Sequence, residues 1–302
     1  MDLRHMDALI AIAEEGTFTA AADVLSTTQS NVSAQIRQLE TELGVELLAR
    51  GRHGAVPTES GRVVLDRARR IRREIEAMRV DVASVRGLEV GEASFGVVGT
   101  ASRWIAPALV GALHSIAPGV RFHITEAPSE RLAELVIAHD CAQAIVTESV
   151  TDHRLVSEHL LDEALVGLAP ASFDIGAEPV SLARLARWPL VLPAVGNPFR
   201  QELETAAAGA GVELMNPVEV DGVRLIVDIV GDGNGVSVLP ATAVPPAASN
   251  VRMFRIADLP RRRLALITAR DMQLSLADQA VRRCLEALVT EHLAQEAAAA
   301  RA

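Results

Sequence analysis

The chain has 302 residues, 49% hydrophobic and 3% aromatic, with a formal net charge of −10. This length permits a small domain and one or two larger ones with aliphatic cores, and the acidic balance excludes a general nucleic-acid coat. The longest uncharged run, residues 233–251, is broken by three prolines and by asparagine, serine and threonine, so no stretch is apolar over the roughly 18 residues of a membrane span. The chain opens into an amphipathic helix carrying Asp2 and Asp7 rather than a signal peptide, and a soluble cytoplasmic protein without a membrane partner is expected.

Leu3, Met6, Leu9, Ile10 and Ala13 mark the apolar side of a first helix. Ala20, Ala21, Ala22 and Leu25 give a compact second one, because methyl side chains allow close approach and favour helix. Thr28 precedes a third, in which Val32, Ile36, Leu39 and Leu43 recur at spacings of four, three and four and turn one stripe inward. On or near the other side lie Gln29, Asn31, Ser33, Gln35, Arg37 and Gln38, groups that donate and accept as base edges require. The same spacing also describes a merely solvated helix. Residues 47–58 then read as an apolar piece, a basic glycine-containing tip and a return through Pro57 and Thr58, the pattern of a wing.

Thr58 or Ser60 can cap a long helix that no proline interrupts through Arg86. Val64, Ala68, Ile71, Ile75, Met78, Val82 and Val85 alternate spacings of four and three, a coiled-coil seam that calls for a second copy. The alternative is a helix packed on its own domain. Eight arginines stand between Arg50 and Arg73 against two acids, whereas residues 1–49 hold two arginines against eight acids. Phosphate attraction is therefore expected at the third helix, the wing and the start of the long helix. Every one of the 29 basic residues is arginine.

After 87–91 short β-branched runs alternate with helix-like segments, which implies α/β architecture with mostly parallel sheets. Strands are expected at 93–99, 120–126, 144–147, 165–169, 190–192, 218–220, 236–239 and 263–268. Helices are expected at 104–116, 130–138, 199–208, 224–230 and 275–299. The grouping favours two lobes, with crossings within 150–162 or 251–262. Parallel α/β lobes bind ligands beyond strand carboxyl ends. Thr100, Ser102, Arg103, Thr147 and Asn197 are the candidates there; for Thr100 and Ser102 the competing reading is helix capping, and for Asn197 a surface turn. The glycine cluster Gly231-Asp232-Gly233-Asn234-Gly235 reads as a tight turn, since it follows a helix and lacks the lysine of a phosphate loop. The eight histidines are scattered without metal spacing, and Cys141 and Cys284 read as core thiols. No catalytic residue, metal site or cofactor is expected.

The chain resembles the LysR-type transcriptional regulators over nearly its full length. Phe18-Thr19, Ala20-Ala21-Ala22, Leu25, Gln29-Ser30, Val32-Ser33, Ile36, Leu39-Glu40, Leu43-Gly44, Leu47-Leu48, Arg50, Pro57-Thr58 and Gly61 carry the likeness in the amino-terminal part. Pro107, Pro118 and Gly231-x-Gly-x-Gly ending in Leu239-Pro240 carry it beyond. Ser30 stands where the family usually has proline, and His139 and Ala142 where it has glycine and aspartate. The resemblance implies a winged helix–turn–helix at 1–58, a linker and dimerisation helix with hinge at 59–90, and a two-lobed periplasmic-binding-protein-like α/β effector domain at 91–302. Lobe I would span about 91–161 and 267–302, and lobe II about 162–266. It further implies Gln29, Ser30, Asn31, Ser33, Arg37, Arg50 and Arg52 as DNA contacts, and a homodimer or homotetramer joined through Val64, Ala68, Ile71, Ile75, Met78 and Val82. The implied partners are double-stranded DNA, a small effector such as an organic acid, and RNA polymerase. Two other classes compete: an enzyme, or a solute-binding α/β protein, with an accessory helical domain.

Overall fold

The computed structural model describes residues 1–51, 54–85, 90–215, 217–245, 250–257 and 259–299. They form two compact units, one that runs through the long helix and also takes in Ala138–Asp140, and one that holds the rest of the chain after it.

The first unit starts with α1 (Leu3–Glu15), α2 (Phe18–Val24) and α3 (Gln29–Leu43). Each start is fixed by a side chain satisfying an orphan amide: Asp2 and His5 form a capping box, Thr17 accepts from the Ala20 amide, and Thr28 accepts from the Asn31 amide. Gly16 and Gly44 end α1 and α3 in the left-handed region, at φ of 75° and 70°. Leu9, Ile12, Ala21, Val32, Ile36, Leu39 and Leu47 close a trihelical core.

The wing follows as an antiparallel pair, β1 (Leu48–Gly51) and β2 (Gly54–Pro57). Glu40 turns from α3 to accept from the amides of Leu47 and Leu48, at 2.8 and 3.3 Å, which seats β1 against the helix. Thr58 caps α4 (Glu59–Val85), accepting from the Gly61 amide at 2.9 Å. A Cβ on Gly61 would lie 1.9 Å from the Leu47 carbonyl oxygen, so only glycine permits α4 to start this close to the wing. Leu65 and Val64 of α4 pack into the trihelical core, so the expected boundary at 58/59 is not a packing boundary.

The second unit has two sheets. The first, in order β4-β3-β5-β12-β6, is built from β3 (Val90–Val97), β4 (Gly119–Glu126), β5 (Gln143–Thr147), β6 (Leu155–Glu163) and β12 (Arg262–Ala269). Helices α5 (Gly99–Ile116), α6 (Ser129–Ile137) and α10 (Leu276–Ala299) accompany it, and the core runs through Phe95, Ile105, Leu109, Leu132, Ile145, Leu266 and Leu285. Both cysteines lie in this core region as buried thiols.

The second sheet, β10-β7-β11, combines β7 (Leu165–Pro170), β10 (Ser237–Pro240) and β11 (Val251–Arg255). The parallel pair β8 (Val191–Pro193) and β9 (Val218–Val220) adjoins it through the bridge between Leu190 and Val236. Helices α7 (Leu182–Leu185), α8 (Pro198–Gly209) and α9 (Val223–Gly231) cover a second core that includes Leu168, Leu192, Phe199, Leu203, Ile226 and Phe254. The glycine cluster is the turn between α9 and β10, with Gly233 and Gly235 at φ of 90° and 139°.

Four sequence expectations change. The sheets are mixed, since β12 runs antiparallel to β5 and β6, and both β10 and β11 run antiparallel to β7. The segments expected only as crossings contain strands, β6 and β11, each at a sheet edge where one neighbour suffices and apolar alternation is weak. Lobe I holds all of β12, so residues 262–266 belong with it; the chain crosses through Ala164 and again before Arg262. Finally, α5 begins at Gly99 rather than Trp104, which turns residues 100–103 from a loop into a helical turn. His139 takes φ +61°, a conformation natural to the glycine it replaces in the family pattern.

Candidate functional site

Two candidate surfaces are built by the fold, one in each unit. In the first, α3 exposes Gln29, Ser30, Asn31, Ala34, Arg37, Gln38 and Thr41. Ser30 and Asn31 are tied to the helix start: the Ser30 hydroxyl lies 3.0 Å from that of Thr28, and Asn31 Nδ2 donates to Thr27 Oγ1 at 2.9 Å. These bonds hold the leading edge of the helix rigid. Ser33 departs from the expectation: at 7% exposure it lies on the buried side. With about 100° between successive residues, position 33 falls beside Val32 and Ile36 rather than opposite them. Arg52 lies outside the described residues, as does the side chain of Arg50.

The basic stretch of α4 is less available to phosphate than its composition implies. Arg72 pairs with Asp7 at 2.6 Å and Arg69 with Glu14 at 3.5 Å, both acids of α1. The seam also divides. Ala68 is buried and Val64 and Ile75 are half-buried, so the amino-terminal part serves its own domain, whereas Ile71, Met78 and Val82 are 37%, 59% and 53% exposed.

In the second unit a cavity of about 240 Å³ opens between the lobes, lined by Thr100 and Glu126 from the first and Asn197, Phe199 and Asp221 from the second. Arg262 also lines it, and together with Pro198 joins it to a neighbouring cavity of about 720 Å³ that includes Thr147, Glu130 and Glu202. The structure thus brings Thr100 and Asn197 together and places Thr147 next door. Ser102 and Arg103 line neither cavity. Within the helical turn Ser102 lies about 200° round from Thr100, and its hydroxyl donates back to the Gly99 carbonyl at 3.0 Å. Thr147 Oγ1 bonds with the hydroxyls of Ser129 and Ser149. Asn197 caps α8, its Oδ1 accepting from the Phe199 amide at 2.9 Å.

Arg262, at the first position of β12, was not legible as a site residue. Its side chain is 4% exposed. Nη1 donates to Thr100 Oγ1 at 2.5 Å and lies 3.5 Å from Glu163 Oε2, while Nε donates to Glu202 Oε2 at 3.1 Å. The guanidinium also stacks over Phe199, 5.0 Å from the ring centroid. Thr242 donates to the other oxygen of the buried Glu163 at 2.8 Å. Burial pushes the Glu163 carboxyl upward, opposed by Arg262 and Thr242. Burial likewise raises Glu202, opposed by Arg262 and reinforced by Glu130. One guanidinium therefore joins groups from both lobes where the chain crosses between them. Among the described residues no group of three His, Cys, Asp or Glu is placed to hold a metal ion, and no helix is long and apolar enough to cross a membrane.

A winged helix–turn–helix followed by a two-lobed cleft domain defines a DNA-binding transcriptional regulator whose activity answers to a small molecule. Residues 3–62 match the bacterial regulatory helix-turn-helix protein model of the lysR family, and residues 86–290 match the LysR substrate binding domain. The chain belongs to the LysR family. It is 30% identical over 275 residues to the DNA-binding transcriptional dual regulator OxyR of Escherichia coli K12, covering 88% of this chain and 89% of that one. Over 266 residues it is 32% identical to the HTH-type transcriptional regulator TfdS of Cupriavidus pinatubonensis, covering 85% and 88%. The solved structure of a full-length OxyR variant from Pseudomonas aeruginosa matches with a TM-score of 0.75 at 21% identity, over 96% of this chain and 94% of that one, a likeness of fold.

Proposed function

We propose that two copies joined along α4 present their α3 helices to the half-sites of an operator, and that a small monocarboxylate between the lobes changes how the operator is held. The exposed face of Gln29, Asn31, Arg37 and Gln38 supports the reader. Working on chromosomal DNA, the protein acts in the cytoplasm, with RNA polymerase as its partner at the promoter. The observation that carries the effector part is the cavity between the lobes, floored by Arg262. A ligand that contacts both lobes binds one lobe arrangement better than another, and it shifts the equilibrium by that difference.

The lining also favours a class of ligand. Thr100 stands in the first turn of α5 and Asn197 caps α8, so two helix amino termini and Arg262 favour an anionic head. Glu126 and Asp221 line the same cavity, and neither forms an ion pair among the described residues. They disfavour a second negative charge. Small monocarboxylates such as propionate and butyrate are expected to raise the melting temperature of the full-length protein, while succinate and glutarate leave it unchanged. The double variant Glu126→Gln, Asp221→Asn is expected to admit the dicarboxylates. Stabilisation by dicarboxylates in preference to monocarboxylates in the unaltered protein would refute this assignment.

Hydrogen peroxide figures in the names of several relatives, but thiol sensing does not fit this chain. Cys141 and Cys284 are buried, and burial pushes the Cys284 thiol up, which withholds the thiolate that reacts. The input is assigned to the cleft.

A further inference from the structure

Arg262 is already occupied by carboxylates, and the two are not alike. Glu163 is fully buried, belongs to the same sheet, and is held from behind by Thr242. Glu202 reaches in from α8 of the other lobe, keeps 31% of its side chain exposed, and lines the larger cavity beside Arg262. We propose that Glu202 is an internal stand-in for the effector: from the larger cavity its carboxylate holds on the Arg262 guanidinium the charge that the effector's carboxylate supplies from the smaller one, and the effector binds by releasing it. This rests on the reading of the cleft as a monocarboxylate site.

The exchange has a chemical consequence. On leaving Arg262, Glu202 loses its attraction to the guanidinium and keeps the influence of its burial and of Glu130, which lines the same cavity from α6. The other charged groups there are Glu148, Arg261 and Arg263; Arg263 pairs with Glu148 at 2.7 Å and Arg261 with Glu296 at 3.2 Å. Those arginines are engaged, so the released carboxylate stays beside Glu130 without the cation that opposed its burial, which favours uptake of a proton. The bound state holds more protons than the free state. Effector affinity therefore rises as pH falls through the interval between the Glu202 pKa on Arg262 and its higher value after release. The lobes also lose a link between α8 and β12 at the moment of binding, which joins occupancy of the cleft to lobe arrangement.

The test is titration calorimetry of the full-length protein with butyrate, in buffers of differing ionisation enthalpy so that proton uptake is counted. Glu202→Gln removes the competing charge while keeping the shape. It is expected to bind butyrate about ten-fold tighter, which is about 1.4 kcal/mol, and to take up no proton. Glu204→Gln, on the same helix but paired with Arg200, is expected to match the unaltered protein in both respects. Equal or weaker binding by Glu202→Gln, or proton uptake that survives the substitution, would overturn the stand-in while leaving the monocarboxylate site intact. Failure of both proteins to bind butyrate or propionate would overturn the site itself and the stand-in with it.

Discussion

Replacing Ile71 and Met78 with aspartate is expected to yield a folded monomer whose operator affinity has fallen about a hundred-fold or more, because two linked readers gain that much from effective concentration. The expectation comes from the way α4 divides its apolar residues. Val64 and Leu65 belong to the core of the first unit and Ala68 is buried. Farther along, Ile71, Met78 and Val82 continue the four-three rhythm but meet water. A contiguous apolar stripe on a charged helix is a surface awaiting a partner. Buried carboxylates facing each other across a seam repel, whereas on a solvated helix they cost little. Sedimentation velocity and duplex anisotropy, with circular dichroism as a check of helix content, measure the three quantities together. A double variant that still sediments as an oligomer, or binds the operator undiminished, would remove α4 from the assembly.

Phe95→Ala is expected to destabilise the second unit by about 3–5 kcal/mol, the usual cost of removing a buried ring. Phe95 is fully buried on β3, between β4 and β5, with its ring 6.5 Å from that of Phe122. Its removal leaves a cavity at the centre of the sheet whose strand ends hold Thr100 and Glu126. Scanning calorimetry is expected to show the transition of the second unit lowered by roughly 10 °C. The first unit has its own core and is expected to keep its transition. A shift of both transitions by the same amount would mean that the two cores melt as one.

The elements read most securely from sequence are those whose causes are local. Caps, apolar spacing and terminal glycines place α1, α2, α3 and α4 because each signal acts within a turn or two. Ser33 shows the limit of that reading: a hydroxyl counted with the polar residues lies near enough to Val32 and Ile36 to be buried. The edge strands β6 and β11 were hidden because an edge strand needs little alternation, and their polar residues resemble a linker. In the cleft, Thr100 and Asn197 were legible as residues beyond strand ends. Ser102 and Arg103 were misplaced only because α5 starts earlier than its apolar pattern. Arg262, Glu163 and Glu202 carried no signal at all. Arg262 meets Glu202 across 60 residues of chain and Thr100 across 162, and no local motif encodes such a meeting.

Reading of a duplex by the exposed face of α3 is tested most directly by fluorescence anisotropy at fixed salt. The full-length protein is titrated into a labelled duplex from the region upstream of its own gene, alongside an unrelated duplex of equal length. Arg37→Ala is expected to weaken binding to the upstream duplex by about 1–3 kcal/mol, the worth of a bidentate base contact. Ser33→Ala, altered on the buried side, is expected to bind like the unaltered protein. Equal affinity of the Arg37 variant and the unaltered protein, or no preference of either for the upstream duplex, would contradict the assignment.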